Sequence, residues 1–218
     1  MQDKHIDEMK DTMKQTSKFA WARGEGRCPE NLYYNEPIME TSEFLVVPSL
    51  GSIVPGWLLI VPKVDVARFS ELPRQSLEKL ETLLETLKAE TENTFGRAYL
   101  FEHGGHVGSK LSCGVDQAHL HLVPLAFDLL EAAVGTSDLK WTIKEGLIFT
   151  DGGFGNDEYL FVSSFDKTAA CRCPKPVSQW FRRLIAKKMN VAEAWNYREY
   201  PFHENILRTL EATGAHGY

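Results

Sequence analysis

Residues 116–125 read DQAHLHLVPL. The run is apolar enough for a buried strand and closes on a proline, yet it carries two imidazoles two residues apart. Strand side chains alternate between faces with a period of two. Gln117, His119 and His121 therefore share one face, and Ala118, Leu120 and Leu122 share the other, which is read as the core side. The histidines do not interrupt the buried pattern; they occupy its opposite, open face.

Working outward, residues 104–114, GGHVGSKLSCG, form a glycine- and serine-rich loop that feeds this strand. Before it, RAYLFEHG at 97–104 reads as a strand. Before that, Leu77, Leu80, Leu84 and Leu87 recur at helical spacing, with Leu83 widening the stripe and Gly96 as a stop. Further upstream, Phe44–Val47 and Trp57–Val61 are two apolar runs, each closed by a proline and joined through GSIVPG. They predict an antiparallel hairpin with a long connection. The first fifteen residues read as a short polar helix or a frayed arm.

Downstream, LLEAAVG (129–135) suggests a short helix. WTIKEGLIFT (141–150) and EYLFVSSFD (158–166) suggest two strands separated by the turn-rich DGGFGND. PVSQWFRRLIAKKM (176–189) and FHENILRTLEATG (202–214) suggest two more helices. The order strand, strand, helix, strand, strand, then additions, predicts an α+β fold with a mostly antiparallel sheet packed with helices. One domain is expected over residues 1–218, with a core at about 30–127 and a C-terminal extension of extra strands and helices at about 130–214.

The chain has 218 residues, 43% hydrophobic and 25% charged, with a net charge of −6. That acidic balance disfavours broad nucleic-acid binding, which runs on basic surface, and no stable nucleic-acid complex is expected. No apolar stretch reaches membrane-spanning length and the N-terminus lacks an apolar signal core, so a cytoplasmic protein without a membrane partner is expected. The cysteines Cys28, Cys113, Cys171 and Cys173 are spaced for neither a disulfide framework nor paired zinc ligands, and read as reduced thiols.

Three chemistries fit the two histidines. They are surface or hydrogen-bonded core rings; or an imidazole pair for a metal, with His103, His106, Glu102 or Cys113 as further ligands; or a nucleophile with a neighbour, one ring attacking phosphorus. In the loop before them, Lys110, Ser109 and Ser112 are placed to cradle phosphate oxygens, beside backbone amides. Glu102 and His103 end the preceding strand and are candidates for lining the same pocket. Arg182 and Arg183 lie on a basic helical face of the kind usually solvated.

DQAHLHLVPL resembles the histidine-triad motif, three histidines alternating with apolar residues. VVPSLGSIVPGWLLIVPKVDV (46–66) resembles that family's strand pair, and FEHGG (101–105) its third strand; together the resemblance spans roughly residues 30–127. It implies a nucleotide or dinucleotide substrate and hydrolysis or transfer at a nucleoside phosphate bond. It implies further that a nucleotidyl-histidine forms on His119 and that no metal or other cofactor is required. It also implies that the His121 carbonyl holds the Nδ1 proton of His119, and that the protein pairs as a homodimer. Gln117 stands at the first histidine position and cannot titrate near neutrality. Asp65 stands where many members carry a histidine, and with Glu102, His103, Lys110 and Ser112 completes the expected substrate contacts. The alternative is a nucleotide-binding protein of the same fold with weak or no turnover.

Overall fold

The computed structural model describes residues 35, 37–105, 117–136, 139–149, 154–155, 157–173, 175 and 177–214. The elements run β1 (Met39–Glu40), β2 (Phe44–Pro48), β3 (Leu58–Pro62), α1 (Arg74–Thr94), β4 (Ala98–Gly104), β5 (Leu120–Pro124), α2 (Leu129–Thr136), β6 (Thr142–Glu145), β7 (Tyr159–Ser163), β8 (Lys167–Arg172), α3 (Trp180–Lys188) and α4 (His203–Ala212). Short 3-10 turns cover Phe69–Glu71 and Ala192–Trp195.

The strands form one sheet in the order β1-β2-β3-β5-β4-β7-β8-β6, and every neighbouring pair is antiparallel. The α+β architecture expected from the sequence is therefore present. The extension does not sit apart: β7 pairs with β4 along Leu100–Gly104 and continues the same sheet.

Both faces of the sheet are covered, which is why its central strands read as unbroken apolar runs. On one face Val46, Ile60, Leu100, Leu120 and Leu122 pack under Leu80, Leu83, Leu84 and Leu87 of α1. On the other, Tyr99, Phe101, Val123, Leu160 and Val162 pack under α2 and under Phe181, Leu184 and Ile185 of α3. The face expected to be open is thus roofed by the extension. The apolar i, i+2 sets on β4, β5 and β7 demand cover on both sides, because an exposed patch of that size is unfavourable.

Three boundaries differ from the sequence reading. The ladder of β5 begins at Leu120, so Gln117 and His119 lie in the extended lead-in to the strand and not inside it. Among the described residues of 141–150, the strand ladder runs over Thr142–Glu145 alone, as an exposed edge strand. β8, Lys167–Arg172, was not anticipated: its KTAACR sequence has few of the branched and aromatic residues that mark strands. The N-terminal helix expectation and Cys28 fall outside the described residues.

Gly104 at the end of β4 is dictated by packing. A Cβ there would overlap the Tyr159 ring on β7, so only glycine lets the two strands close at this point.

Candidate functional site

β5 is central, flanked by β3 and β4, and His121 sits inside its ladder opposite Leu59 and Phe101. Its ring stacks on Phe101 with centroids 4.3 Å apart and an interplanar angle of 9°. The indole Nε1 of Trp57 donates to His121 Nδ1 at 3.0 Å. An indole N–H only donates, so Nδ1 must be unprotonated and the proton of the neutral ring sits on Nε2. Burial, reinforced by the neighbouring His119 and the positive charge of Arg182, holds the pKa of His121 well below the usual histidine range. His121 is therefore a neutral donor of fixed orientation, 6% exposed.

His119 precedes the ladder and is half-buried. Its ring meets His121 edge-on at 5.1 Å between centroids. Its Nδ1 lies 2.9 Å from the backbone carbonyl of Gln117. A carbonyl only accepts, so Nδ1 carries the proton and Nε2 presents a lone pair. This corrects one expectation: the carbonyl that orients His119 belongs to Gln117, not to His121. The reason is positional. His121 lies within the ladder, where main-chain groups are committed to strand pairing, while Gln117 lies ahead of it and its carbonyl can turn toward the ring.

The Gln117 side chain is also committed. Its Nε2 donates to the carbonyl of Pro62 at 2.7 Å, and the residue is 1% exposed. It ties the entry of β5 to the exit of β3. A second tie is the Ala118 N–H to Val66 carbonyl bond of 2.8 Å. Asp65, one residue earlier, is exposed beside this junction.

Glu102 and His103 part company. On β4, Phe101 and His103 face the histidine side, and Glu102 faces the α1 side. There Glu102 accepts hydrogen bonds from the Phe69 N–H at 2.9 Å and the Tyr159 hydroxyl at 2.6 Å. Burial pushes its carboxyl up to about 7, although the two hydrogen bonds and Arg68 oppose the shift. The fold does not bring Glu102 to His119; it uses the residue to pin the 69–71 turn. The strand alternation already in the sequence carried this signal, since adjacent strand residues cannot share a face.

This carboxyl gives a pH signature. The folded pKa of about 7 exceeds the ordinary 4.5, so between those values the folded chain holds a proton that the unfolded chain releases. Stability from this group is complete below the unfolded value and is lost as pH rises through about 7. The loss is on the order of 3 kcal/mol. Urea denaturation at pH 5 and pH 8 should show a decline in the wild type that is absent in Glu102→Gln; equal declines would refute it.

His103 points the other way, toward β7, where Nε2 lies 3.1 Å from Glu158 Oε2; the two side chains are 3% and 4% exposed. Burial lowers the pKa of His103, and Glu158 works against that by attraction and hydrogen bonding. Its other nitrogen, Nδ1, is buried with no hydrogen-bond partner among the described residues. Such an orphan costs about 1–3 kcal/mol.

Arg182, expected on a solvated face, is 6% exposed. It donates to the Gly51 carbonyl (2.6 Å), the Leu50 carbonyl (2.8 Å) and Ser49 Oγ (2.6 Å). Its guanidinium lies 4.5 Å from the centroid of Trp57. The helix contributed by the extension thus holds the indole that orients His121. Arg183 is spent similarly, over Trp195. Lys110 and Ser112, with Ser109, His106 and Cys113, lie outside the described residues. Among the described residues no three His, Cys, Asp or Glu side chains converge to hold a metal ion.

Residues 33–128 match the family model of the HIT domain. No curated protein matches the sequence. Among solved structures, a hypothetical protein from Leishmania major is 19% identical, with 53% of this chain and 77% of that chain covered and a TM-score of 0.41. A hypothetical histidine triad nucleotide-binding protein from Sulfolobus tokodaii is 16% identical, with 51% and 69% covered and a TM-score of 0.38. Yeast Ap4A phosphorylase in complex with Ap4A is 14% identical, with 60% and 57% covered and a TM-score of 0.39. Scores this low add no argument, and the weight rests on the match over residues 33–128 and on the motif within it. That segment of the chain is thus similar to the HIT domain.

Proposed function

We propose that the protein is a nucleotide hydrolase or nucleotidyltransferase acting at a nucleoside phosphate bond through a covalent nucleotidyl intermediate on Nε2 of His119. The observation that carries this reading is the tautomer of His119. The Gln117 carbonyl holds the Nδ1 proton, so Nε2 offers its lone pair at a half-exposed position. A neutral imidazole is both a competent nucleophile and a good leaving group from phosphorus. The neutral His121, with its proton on Nε2 beside that ring, is suited to donate to a phosphoryl oxygen. In this reading the ligand is a nucleotide or dinucleotide. Asp65 at the neighbouring junction, with Lys110 and Ser112, would contact the substrate.

A second reading has one specific observation behind it: the residue at the first triad position is an amide already bonded to Pro62. If nothing else supplies the proton that a titrating ring there would supply, the protein binds nucleotide and turns it over poorly. Intact-mass analysis after incubation with nucleoside triphosphates, dinucleoside polyphosphates and nucleoside phosphoramidates separates the two. An acid-labile mononucleotide adduct, absent from His119→Ala, is the expected result. Binding without adduct or product would leave only the binding protein, and neither binding nor adduct would remove both.

A further inference from the structure

The sheet brings to the histidine face a second imidazole system that the triad resemblance does not include. The β4–β5 ladder ends at Phe101 opposite His121. Extended by two residues, that antiparallel register would set His103 against His119, on the same face. His103 is held from behind: Nε2 meets the carboxylate of Glu158, just ahead of β7, at 3.1 Å. Its free nitrogen, Nδ1, is buried without a partner among the described residues. A carboxylate–imidazole pair with one nitrogen left unengaged is the arrangement used for general acid–base catalysis. Gln117 cannot do this work, being an amide tied to Pro62.

We propose that His103, oriented by Glu158, is the acid–base group that protonates the leaving atom and then activates the incoming acceptor, replacing the ring that residue 117 lacks. This rests on the nucleotidyl-histidine reading. In the first step His119 Nε2 forms a bond to the α-phosphorus, the bond from phosphorus to the leaving oxygen breaks, and that oxygen takes the proton from His103 Nδ1. In the second, water attacks phosphorus and gives a proton back to His103 Nδ1. The phosphorus–nitrogen bond breaks with its electron pair returning to His119, and a nucleoside monophosphate leaves.

The groups facing His103 set when it can act. Burial lowers the pKa of His103; Glu158, just ahead of β7, works against that by attraction and hydrogen bonding, and the negative phosphate of a bound substrate would add to its effect. His119, just ahead of β5, and His121 on it oppose it when charged, and His121 is held neutral. Cys171 on β8, reached through Leu160, and Cys173 just after it are kept as neutral thiols by burial, Cys171 pushed up to about 12.

The experiment compares nucleoside monophosphate esters of graded leaving-group pKa on wild type, His103→Gln and Glu158→Gln, with intact-mass detection of the His119 adduct and melting curves as a folding control. Poor leaving groups are expected to slow about a hundredfold or more in His103→Gln, while activated aryl esters change less than about threefold. Glu158→Gln should move the alkaline limb of the wild-type profile to lower pH, because the carboxylate that favours the imidazolium is gone. That shift decides the matter if His103→Gln melts early. Adding Gln117→His to His103→Gln should restore part of the rate. An adduct that forms in the wild type with leaving-group slopes parallel in His103→Gln, or an unmoved pH limb in Glu158→Gln, overturns the role of His103 alone. No adduct in the wild type even from an activated ester overturns the nucleotidyl-histidine reading, and this inference with it.

Discussion

His119→Ala is expected to lower turnover of the best nucleotide substrate by on the order of a thousandfold or more, with the melting temperature nearly unchanged. The size follows from the role: removing a covalent nucleophile removes the whole two-step path and leaves only what binding and polarisation achieve. The small structural effect follows from the environment. The ring contacts the Gln117 carbonyl and the edge of His121 from a half-exposed position, and its loss exposes no apolar core. Steady-state kinetics paired with thermal denaturation checks both halves. A fall of less than about tenfold would show that phosphorus is not attacked by His119.

Arg182→Ala is expected to cost about 3–5 kcal/mol of unfolding free energy. The guanidinium is buried and donates to two carbonyls and a hydroxyl in the 49–51 connection. Its removal leaves these acceptors without their charged donor, and hydrogen bonds to charged groups are worth about 1.5–3 kcal/mol each before partial compensation. The stacking on Trp57 is lost as well. Arg182→Lys should recover little, since an ammonium cannot span three acceptors in the same fork. The effect should reach the site. Arg182 is one of the charges that depress the His121 pKa, so an NMR titration of Arg182→Met should show His121 titrating at higher pH than in the wild type. A loss below about 1 kcal/mol with an unmoved His121 titration would show that the guanidinium is incidental.

The hairpin around Pro55–Gly56, the leucine stripe of α1 and the alternation of side chains along β5 were legible in the sequence, because each is a local period; that the histidine side is itself buried under the extension was not. The placement of His119 on the same side as His121 follows from the same period. What escaped was non-local. Arg182 reads as solvated on its own helix, and only the fold brings Ser49, Leu50 and Gly51 to it. Trp57 reads as one more apolar residue, although a buried indole needs an acceptor and His121 is that acceptor. Glu158 reads as a charge at the mouth of a strand until β7 lies beside β4 and sets it against His103. β8 escaped because its alanines and cysteines carry a weak strand preference, and its place is fixed by pairing with β7.

The position of β7 also has a consequence for how the chain is made. β4 receives β5 on one side from residues 120–124, but its other side waits for residues 159–163. At about 5–20 residues per second of synthesis, the strand bearing His103 spends several seconds as an unpaired edge on the nascent chain. Such an edge is a template for pairing with the wrong strand. The strand bearing His103 is thus open to mispairing on the newborn chain, and changes that delay β7 docking should appear first as aggregation during translation and only second as lost stability.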